Sequence, residues 1–486
     1  MQAIHVEGKH VVNEHGERVM LRGTCLGGWM CLENFIDDFV GCETGLRDCV
    51  SRQLGPEMST LFFDEMLDQF FTEDDARFIA STGANVVRLC VNYRHFEDDE
   101  HPFVYKEKGF RRLTEAVRIC AKHGLYTVID LHCAQGWQNS HWHCDNERGV
   151  SLLWRNAQYQ QRVCALWKEI ASRFRDEPAV AGYELLNEPC SNTPNGDYPH
   201  NFYGNFQPDW PRFNSVMRAI VHAVREVDDK HILFFEGDMY AHGFRGLEEP
   251  YDGNTVYVAH DYVLPSFGPA PYPGQYQALR NDVIDPSGYW DAQRQLSHIR
   301  ETEAWQFAEK WNVPLCVGEF GAQYTTGEDD VRYRLAAMDD QLKAFNELGI
   351  HWMTWTYKDA GVMGWCTLDP QSEYSRMVAP VRRMKGLLGT ESFTGWHSDC
   401  PGKQLAAKLL DYVESVTTLH YDRKSSEKCM QTSVLGYYAA MLQPEYAACF
   451  AGVTAEDVRR IMRSFSFSQC RVNQGLFEVL KGRTAQ

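Results

Sequence analysis

The chain has 486 residues, of which 44% are hydrophobic and 23% are charged, as is usual for a globular protein with a large core. Its formal net charge is −18. This charge disfavours nucleic acids and anionic membrane surfaces as partners, and does not penalise a neutral substrate. No run of about 18 apolar residues predicts a membrane span.

The chain begins with a predicted hairpin over Ile4–Val12, followed by a turn at Asn13–Gly16. Eight short segments rich in β-branched or aromatic residues follow, with little polar alternation, which is typical of parallel strands buried on both faces. They are Val19–Cys25, Asn85–Leu89, Tyr126–Leu131, Gly182–Leu186, Ile232–Phe235, Val256–Ala259, Leu315–Gly318 and Trp352–Thr356.

Segments of helical period separate most of these strands, and several end at a glycine, which is a helix stop signal. They are Lys108–His123, Ala157–Phe174, Phe213–Asp228, Trp290–Trp311 and Asp330–Leu348. The connection between the fifth and sixth strands is too loop-like to predict a full helix.

Eight strands alternating with helices predict an α/β fold, a closed (β/α)8 barrel rather than an open sheet. The catalytic barrel is predicted over residues 1–375, with the N-terminal hairpin capping its floor. From about residue 376 the strand pattern stops, and Gln404–Val416 and Thr454–Ser464 read as helices. We predict a helical extension over 376–486 that packs on the barrel or mediates a homo-oligomer.

The N-terminus is polar and charged and lacks the apolar core of a signal peptide. The 16 cysteines are scattered without paired spacing. We therefore expect a reduced, cytoplasmic protein whose cysteines act mainly as small buried hydrophobic residues.

Reactive side chains in a barrel gather at the carboxyl ends of its strands. Two carboxylates directly follow apolar strands there, Glu188 and Glu319. Hydrolysis of a glycosidic bond needs one carboxyl group that donates a proton and one that is ionised. Arg88, with His260 or Tyr262, could hold Glu319 anionic, whereas Glu188 would need a raised pKa to stay protonated.

This set of residues resembles glycoside hydrolase family 5, a family of retaining barrels with two glutamates after strands four and seven. The resemblance covers roughly residues 15 to 370. Asn187-Glu188-Pro189 looks like the acid/base motif of the family, and Gly318-Glu319-Phe320-Gly321 looks like its nucleophile motif. Its other shared positions are matched by Arg88, His132, His260, Tyr262 and Trp355.

The resemblance implies a role for each of these residues. Asn187 would bond the 2-hydroxyl of the sugar in the −1 subsite, and Tyr262 would orient Glu319. Trp355 would form the floor under that sugar, while Arg88 and His132 would support the catalytic pair.

Other segments bear on the substrate. Leu26–Trp29 with Glu33-Asn34-Phe35, and Gln138-Asn139, resemble exo-acting members of the family. The long loop His132–Asn146 could close the pocket beyond the −1 sugar with Gln138, Trp142, His143 and Asp145. Trp355–Asp359 with Gly361–Trp365, and the loop Tyr272-Pro273-Gly274, resemble a branch with β-mannosidases, and Lys358 is expected to support the substrate. We therefore expect an exo-acting β-glycosidase that removes a terminal β-mannose, as from mannose β-1,4-linked to N-acetylglucosamine.

Several alternatives remain open. The same two glutamates serve a β-glucosidase, an exo-β-1,3-glucanase or a transglycosylase. A non-catalytic carbohydrate-binding barrel is disfavoured because both carboxylates are present. His141–Asp145, with His132 and Cys133 upstream, could suggest zinc, but no four-ligand spacing occurs. We predict no metal and no cofactor.

Overall fold

The protein is described from a computed structural model, over residues 1–191, 208–267, 270–277, 287–325, 327–390, 400–417 and most of 423–485. Within 423–485, residues 424–425, 428–429 and 431–435 are outside the description. Eight parallel strands close into a barrel, which confirms the predicted fold. In chain order they are β3 (Arg22–Met30), β4 (Val86–Asn92), β5 (Tyr126–Cys133), β6 (Val180–Glu184), β7 (Ile232–Glu236), β8 (Thr255–His260), β11 (Leu315–Glu319) and β12 (His351–Thr354).

Burial on both faces explains the composition of these strands. Every residue of β4, β5 and β7 is buried, and few are polar. Close approach of neighbouring strands also restricts side chains. A Cβ on Gly182 would lie 2.0 Å from the carbonyl oxygen of Ile232, so only glycine fits where β6 meets β7.

Helices surround the barrel. Those after the second, third, fourth and seventh strands agree closely with the predicted segments, whereas the three between the first and second strands were not predicted. In chain order the helices are α1 (Glu43–Leu54), α2 (Pro56–Phe70), α3 (Glu73–Ser81), α4 (Glu107–Lys122), α5 (Ala157–Phe174), α6 (Trp210–Arg225), α8 (Ala292–Glu301), α9 (Glu303–Trp311) and α10 (Glu328–Leu348). The connection between the fifth and sixth barrel strands holds only the four-residue turn α7 (Asp238–Ala241), as expected.

One predicted helix was wrong in its length. The segment Trp290–Trp311 is divided into α8 and α9 at Thr302, whose backbone is extended. The Thr302 hydroxyl accepts a hydrogen bond from the backbone N–H of Trp305 and so caps the second helix. A hairpin that the sequence did not predict, β9 (Gly274–Gln277) with β10 (Ser287–Trp290), precedes α8.

The N-terminal hairpin consists of β1 (Ile4–Glu7) and β2 (His10–Asn13). Its strands are joined at Gly8, and Asn13–Gly16 forms a second turn after the hairpin. The backbone N–H of Val6 donates to the side chain of Asn254, which directly precedes β8. The hairpin therefore lies at the amino ends of the strands, on the barrel floor.

The C-terminal segment contains α11 (Glu373–Leu388), α12 (Pro401–Val416), α13 (Gly436–Met441), α14 (Gln443–Ala448), α15 (Ala455–Met462) and α16 (Gln474–Thr484). It is not purely helical, because β15 (Cys470–Val472) completes a small sheet with β13 (Lys358–Asp359) and β14 (Cys366–Leu368). Helix α15 packs on α2, and α16 packs on α10.

The domain boundary at 375/376 and the homo-oligomer stay predictions. Among the helices described, none has both the length and the apolar character of a membrane span.

Lys358 joins the C-terminal segment to the barrel and is fully buried. Its ammonium group lies 2.7 Å from Asp75 and donates to the carbonyl oxygens of Phe70 and Phe465. Burial lowers the pKa of Lys358, but the Asp75 charge outweighs this effect and raises it overall. We expected Lys358 to support the substrate. The structure contradicts this, because the ammonium is fully occupied between α2, α3 and the C-terminal segment.

Replacement of Lys358 by methionine should therefore destabilise the fold without changing the chemistry. Removing one partner of a buried ion pair leaves an uncompensated charge and costs about 3–5 kcal/mol of unfolding free energy. The matched control is Lys108→Met, which breaks a half-exposed pair with Asp64 and should cost no more than about 1 kcal/mol. Chemical denaturation measures both values. Equal stability of the two variants would contradict the structural role of Lys358.

Candidate functional site

Polar side chains converge at the carboxyl end of the barrel, where β4, β5, β8 and β11 end. Glu319 is the last residue of β11 and His260 the last of β8, while Glu188 lies four residues beyond β6. The structure brings together here the predicted residues Arg88, His132, His143, Asn187, Glu188, His260, Tyr262 and Glu319.

Glu319 is buried and held by donors on both carboxylate oxygens. Its Oε1 accepts a hydrogen bond of 2.7 Å from Arg88, and its Oε2 accepts one of 3.1 Å from the Tyr262 hydroxyl. The Nδ1 atom of His260 lies 3.6 Å from the same Oε2. These contacts fix the orientation of the carboxylate and place positive charge beside it, as the sequence predicted for a nucleophile.

Glu188 is held by its backbone as well as its side chain. Its φ of 45° lies in the left-handed region, which is uncommon for a non-glycine residue and typical of functional sites. Its N–H donates to Glu236 at 2.6 Å, and its carbonyl oxygen accepts from Asn139 at 2.9 Å. The carboxylate itself contacts His260 Nδ1 at 2.8 Å and His143 Nε2 at 3.2 Å.

The two carboxylates are close neighbours. One oxygen of Glu188, one oxygen of Glu319 and one ring nitrogen of His260 all lie within 4.8 Å of one another. Carboxyl groups about 5–5.5 Å apart are typical of retaining glycosidases, whereas inverting enzymes need about 6.5–9.5 Å to admit a water molecule. The geometry fits a direct attack by one carboxylate on the sugar.

The pKa of Glu188 differs from the expectation. Burial raises this pKa, but the hydrogen bond from His260 and the positive charges of His143 and His260 lower it below its ordinary value. Burial lowers the pKa of His260, but the charge of Glu319 and the hydrogen bond to Glu188 raise it well above its ordinary value. In the free site, the proton between His260 and Glu188 therefore lies on the histidine.

Arg88 is the centre of a fully buried charge cluster. Besides Glu319, its guanidinium contacts Glu184 at 2.7 Å, Asp130 at 3.2 Å and Glu236 at 3.4 Å. Burial lowers the pKa of Arg88, but the charges of Asp130 and Glu184 raise it well above its ordinary value. The guanidinium is therefore permanently charged and links four strands at the base of the site.

The sequence reading missed Glu184, Glu236 and Asp130. Burial raises the pKa of Glu184, but the Arg88 charge outweighs it and lowers that pKa overall. Burial raises the pKa of Glu236 well above its ordinary value, against the effect of His260. The available signal was an acidic residue inside or at the end of an otherwise apolar strand, as in Val180–Glu184 and Ile232–Glu236.

His132, at the end of β5, forms a second group of contacts, with Trp355, Asp130 and Glu33. Its ring stacks on Trp355 with centroids 5.3 Å apart, and its Nδ1 lies 2.8 Å from Asp130. Its Nε2 lies 3.2 Å from Glu33, whose pKa burial raises to about 7 against the opposing effect of His132. Asn187 accepts a 2.7 Å hydrogen bond from Arg88. Trp355, His132 and Glu33 thus form one wall of the mouth.

Of the residues predicted in the loop after β5, one contacts a catalytic glutamate, and the others hold the loop and the strand ends in place. His143 contacts Glu188, and Trp142 packs edge-on against Phe35. The side chain of Gln138 is buried and donates to the carbonyl oxygens of His132 and Asn187. Gln138 therefore joins the ends of β5 and β6 and does not face the mouth, contrary to expectation.

Asp145 is also placed differently from the expectation. Its buried carboxylate accepts hydrogen bonds from the backbone and hydroxyl of Thr44 and from Arg94. These contacts anchor the loop after β5 to α1. Asp145 therefore holds that loop in place and does not itself face the mouth. Within the residues described, no group of three converging metal-ligand side chains includes His141, His143 or Cys144. The absence of a metal stays a prediction.

Comparison with known proteins adds the following findings. Residues 53–361 match the family model described as cellulase, glycosyl hydrolase family 5. The chain is 33% identical to a β-xylosidase of Phanerodontia chrysosporium, over 99% of this chain and 98% of the relative. It is 31% identical to a probable glucan 1,3-β-glucosidase A of Emericella nidulans, over 72% of this chain and 88% of the relative.

A solved structure shows the same fold. The crystal structure of an endogalactoceramidase superposes with a TM-score of 0.50 at 20% sequence identity, over 74% of this chain and 75% of that one. At this identity the likeness concerns the fold alone. The family match spans most of the barrel, and the match to the β-xylosidase spans nearly the whole chain. The chain therefore belongs to glycoside hydrolase family 5 and is a glycoside hydrolase.

Proposed function

We propose that the chain is an exo-acting, retaining β-glycosidase that releases terminal β-linked xylose. The observation that carries the retaining mechanism is the approach of Glu188 and Glu319 to within 4.8 Å at their nearest oxygens. In a retaining mechanism one carboxylate forms a covalent glycosyl-enzyme and the other serves first as acid and then as base.

The surroundings divide these roles between the two glutamates. Glu319, held by Arg88 and Tyr262, attacks the anomeric carbon and forms the glycosyl-enzyme. Glu188, in contact with His143 and His260, gives a proton to the leaving oxygen and then takes one from the attacking water. Asn187 lies between Arg88 and His132, from where its amide can bond the 2-hydroxyl of the bound sugar.

The loop between β3 and α1, which is held by many hydrogen bonds, supports action at a chain end. The β3–α1 loop carries Glu33 into the mouth and is almost wholly buried. The C-terminal segment holds this loop by its backbone. Lys385 donates to the carbonyl oxygens of Asn34 and Phe39, Tyr374 donates to that of Asp37, and Gln443 donates to those of Val40 and Cys42. A wall fixed at so many points favours a pocket for one terminal sugar over an open cleft.

The choice of sugar rests on the relatives. The relative that matches nearly end to end is named a β-xylosidase, and the second acts by its name on β-1,3-glucan. We therefore favour β-xylosides, with β-glucosides as the second candidate. The β-mannoside expected from the sequence is kept as a third candidate in the test below. Transglycosylation uses the same catalytic pair and differs only in the acceptor.

Replacement of Glu319 by alanine should abolish hydrolysis of every β-glycoside. Azide should restore turnover of an activated aryl glycoside and give the α-glycosyl azide, because azide fills the space of the missing carboxylate on the face opposite the leaving group. Proton NMR of the product identifies its configuration. A β-configured azide from this variant would contradict the assignment of Glu319 as nucleophile.

Replacement of Glu188 by alanine should affect substrates according to their leaving group. Loss of the proton donor should lower kcat/KM for a phenyl glycoside by about 10²–10⁴-fold, whereas the formation of the glycosyl-enzyme from a 2,4-dinitrophenyl glycoside needs no acid. Azide should then accelerate turnover and give the β-glycosyl azide. Equal losses on both substrates would argue against an acid/base role.

A panel of p-nitrophenyl β-xyloside, β-glucoside and β-mannoside tests the sugar. A pocket that fits xylose excludes the extra hydroxymethyl group of the hexoses, so kcat/KM for the xyloside should exceed the others by at least about tenfold. Faster cleavage of the glucoside or the mannoside would replace the proposed sugar and leave the reaction type intact.

Chain-end action is tested with xylotetraose labelled at its reducing end. Exo action from the non-reducing end should release free xylose and labelled xylotriose as the first products, as resolved by chromatography. Labelled xylobiose among the first products would show cleavage inside the chain and contradict the proposed pocket.

A further inference from the structure

Glu236 contacts the acid/base machinery on two sides without facing the mouth. One of its oxygens accepts the Glu188 N–H at 2.6 Å. The other lies 3.3 Å from Nε2 of His260, whose Nδ1 contacts the Glu188 carboxylate at 2.8 Å. The ring of His260 therefore lies between Glu188 and Glu236. Glu236 is connected to Glu188 in two ways, by the hydrogen bond from the Glu188 backbone N–H and by the His260 ring.

The surroundings of Glu236 favour a proton on its carboxyl group, because burial and the charge of Glu184 raise its pKa well above its ordinary value. One carboxylate oxygen of Glu184, one of Glu236 and one ring nitrogen of His260 all lie within 4.8 Å of one another, and two buried carboxylates this close repel each other, which favours a proton on one of them. Both are fully buried. Glu184 makes the close contact with Arg88, at 2.7 Å against 3.4 Å for Glu236. The charge of Arg88 thus favours an ionised Glu184, and the proton belongs to Glu236.

Groups from all neighbouring strands face Glu236. They are Arg88 on β4, Glu184 on β6 and His260 on β8, with Asp130 on β5 reached through Arg88. Arg88 and His260 are the cations among them. Because Arg88 is already surrounded by carboxylates, His260 is the group whose proton responds to the charge of Glu236.

We propose that Glu236 is a positioning residue for the acid/base step: it anchors Glu188 and, being uncharged, lets the His260 proton move to Glu188. The proposal deepens the glycosidase function above and rests on it. An ionised Glu236 would leave the imidazolium of His260 between two carboxylates and hold its proton there. A neutral Glu236 leaves Glu188 as the stronger acceptor.

Each proton that leaves His260 during one catalytic cycle is replaced within that cycle. As the glycosidic bond breaks, Glu188 takes the Nδ1 proton of His260 and passes it to the leaving oxygen, which leaves Glu188 as a carboxylate and His260 as a neutral imidazole whose Nε2–H faces Glu236. As water attacks the glycosyl-enzyme, Glu188 takes its proton and passes one back to His260. Glu236 neither gains nor loses a proton, so its part is to hold geometry and charge.

Two variants separate position from charge. Glu236→Gln keeps an uncharged side chain of the same shape, with a carbonyl oxygen for the Glu188 N–H, and should retain activity within about threefold. Glu236→Ala removes the anchor and should lower kcat/KM for a phenyl glycoside by about 10²-fold while sparing the 2,4-dinitrophenyl glycoside, since only the former needs the acid. Equal losses of the Ala variant on both substrates would overturn the positioning role.

The matched control is Asp228→Asn at the barrel floor. Asp228 is a buried carboxylate paired with His231 at 2.6 Å and with Tyr183 at 2.7 Å, and it does not contact the mouth. This variant should lose stability and keep the same ratio of activities on the two aryl glycosides. A changed ratio in the control would show that leaving-group dependence does not report on Glu188, and would overturn the inference.

The charge of Glu236 is tested through pH. A carboxylate beside His260 raises the pKa of the ring, so removal of an ionised Glu236 would move the alkaline limb of kcat/KM to lower pH. We expect the limb of Glu236→Gln to coincide with that of the wild type. A shift of about one unit or more, equivalent to about 1.4 kcal/mol, would show that Glu236 is ionised and overturn the proposal.

A titration by ¹⁵N NMR gives the same answer without turnover. The His260 signal is assigned by its absence from His260→Asn, and its pKa is compared between wild type and Glu236→Gln. Equal values support an uncharged Glu236, and a lower value in the variant refutes it. Failure of the wild type to hydrolyse any glycoside would refute the proposed function instead, so the two failures are distinguishable.

Discussion

The guanidinium of Arg88 is the interaction on which the rest of the site depends. It is fully buried and contacts Asp130, Glu184, Glu236 and Glu319, which stand on four different barrel strands. Each carboxylate would be costly to bury without a cation, and the cation would be equally costly without them. One side chain therefore both closes the polar centre of the barrel and orients the nucleophile.

The same cluster connects to the acid/base through His260. Its ring contacts Glu188 and Glu236 on opposite nitrogens and lies 3.6 Å from Glu319. Protonation at any of these positions alters the others, because their separations are short and solvent is excluded. The lowering of the Glu188 pKa in the free site is thus a property of the whole cluster, and it is the reason that we propose a proton relay through His260 for acid catalysis.

The C-terminal segment has a place in this arrangement. Lys358 joins Phe465 to α2 and α3, and Lys385, Tyr374 and Gln443 hold the backbone of the β3–α1 loop. Through that loop the segment sets the position of Glu33, which contacts His132 at 3.2 Å. The C-terminal segment, whose role could not be predicted from its sequence, therefore holds the β3–α1 loop in position at the site.

The sequence alone determined the barrel and its eight strands within a few residues, because runs of β-branched and aromatic residues carry a local signal. It also predicted the pair Glu188 and Glu319, which follow apolar strands and lie in motifs that resemble those of glycoside hydrolase family 5. It did not determine partners that meet only in space. Gln138, Asp145 and Lys358 are polar residues near the motifs, but folding turns them inward to backbone and buried charges. Glu184 and Glu236 lie 52 positions apart in the chain and belong to adjacent strands. Only the pairing of these two strands brings their carboxyl groups together beside Arg88, and the closer contact of Arg88 with Glu184 favours the proton on Glu236.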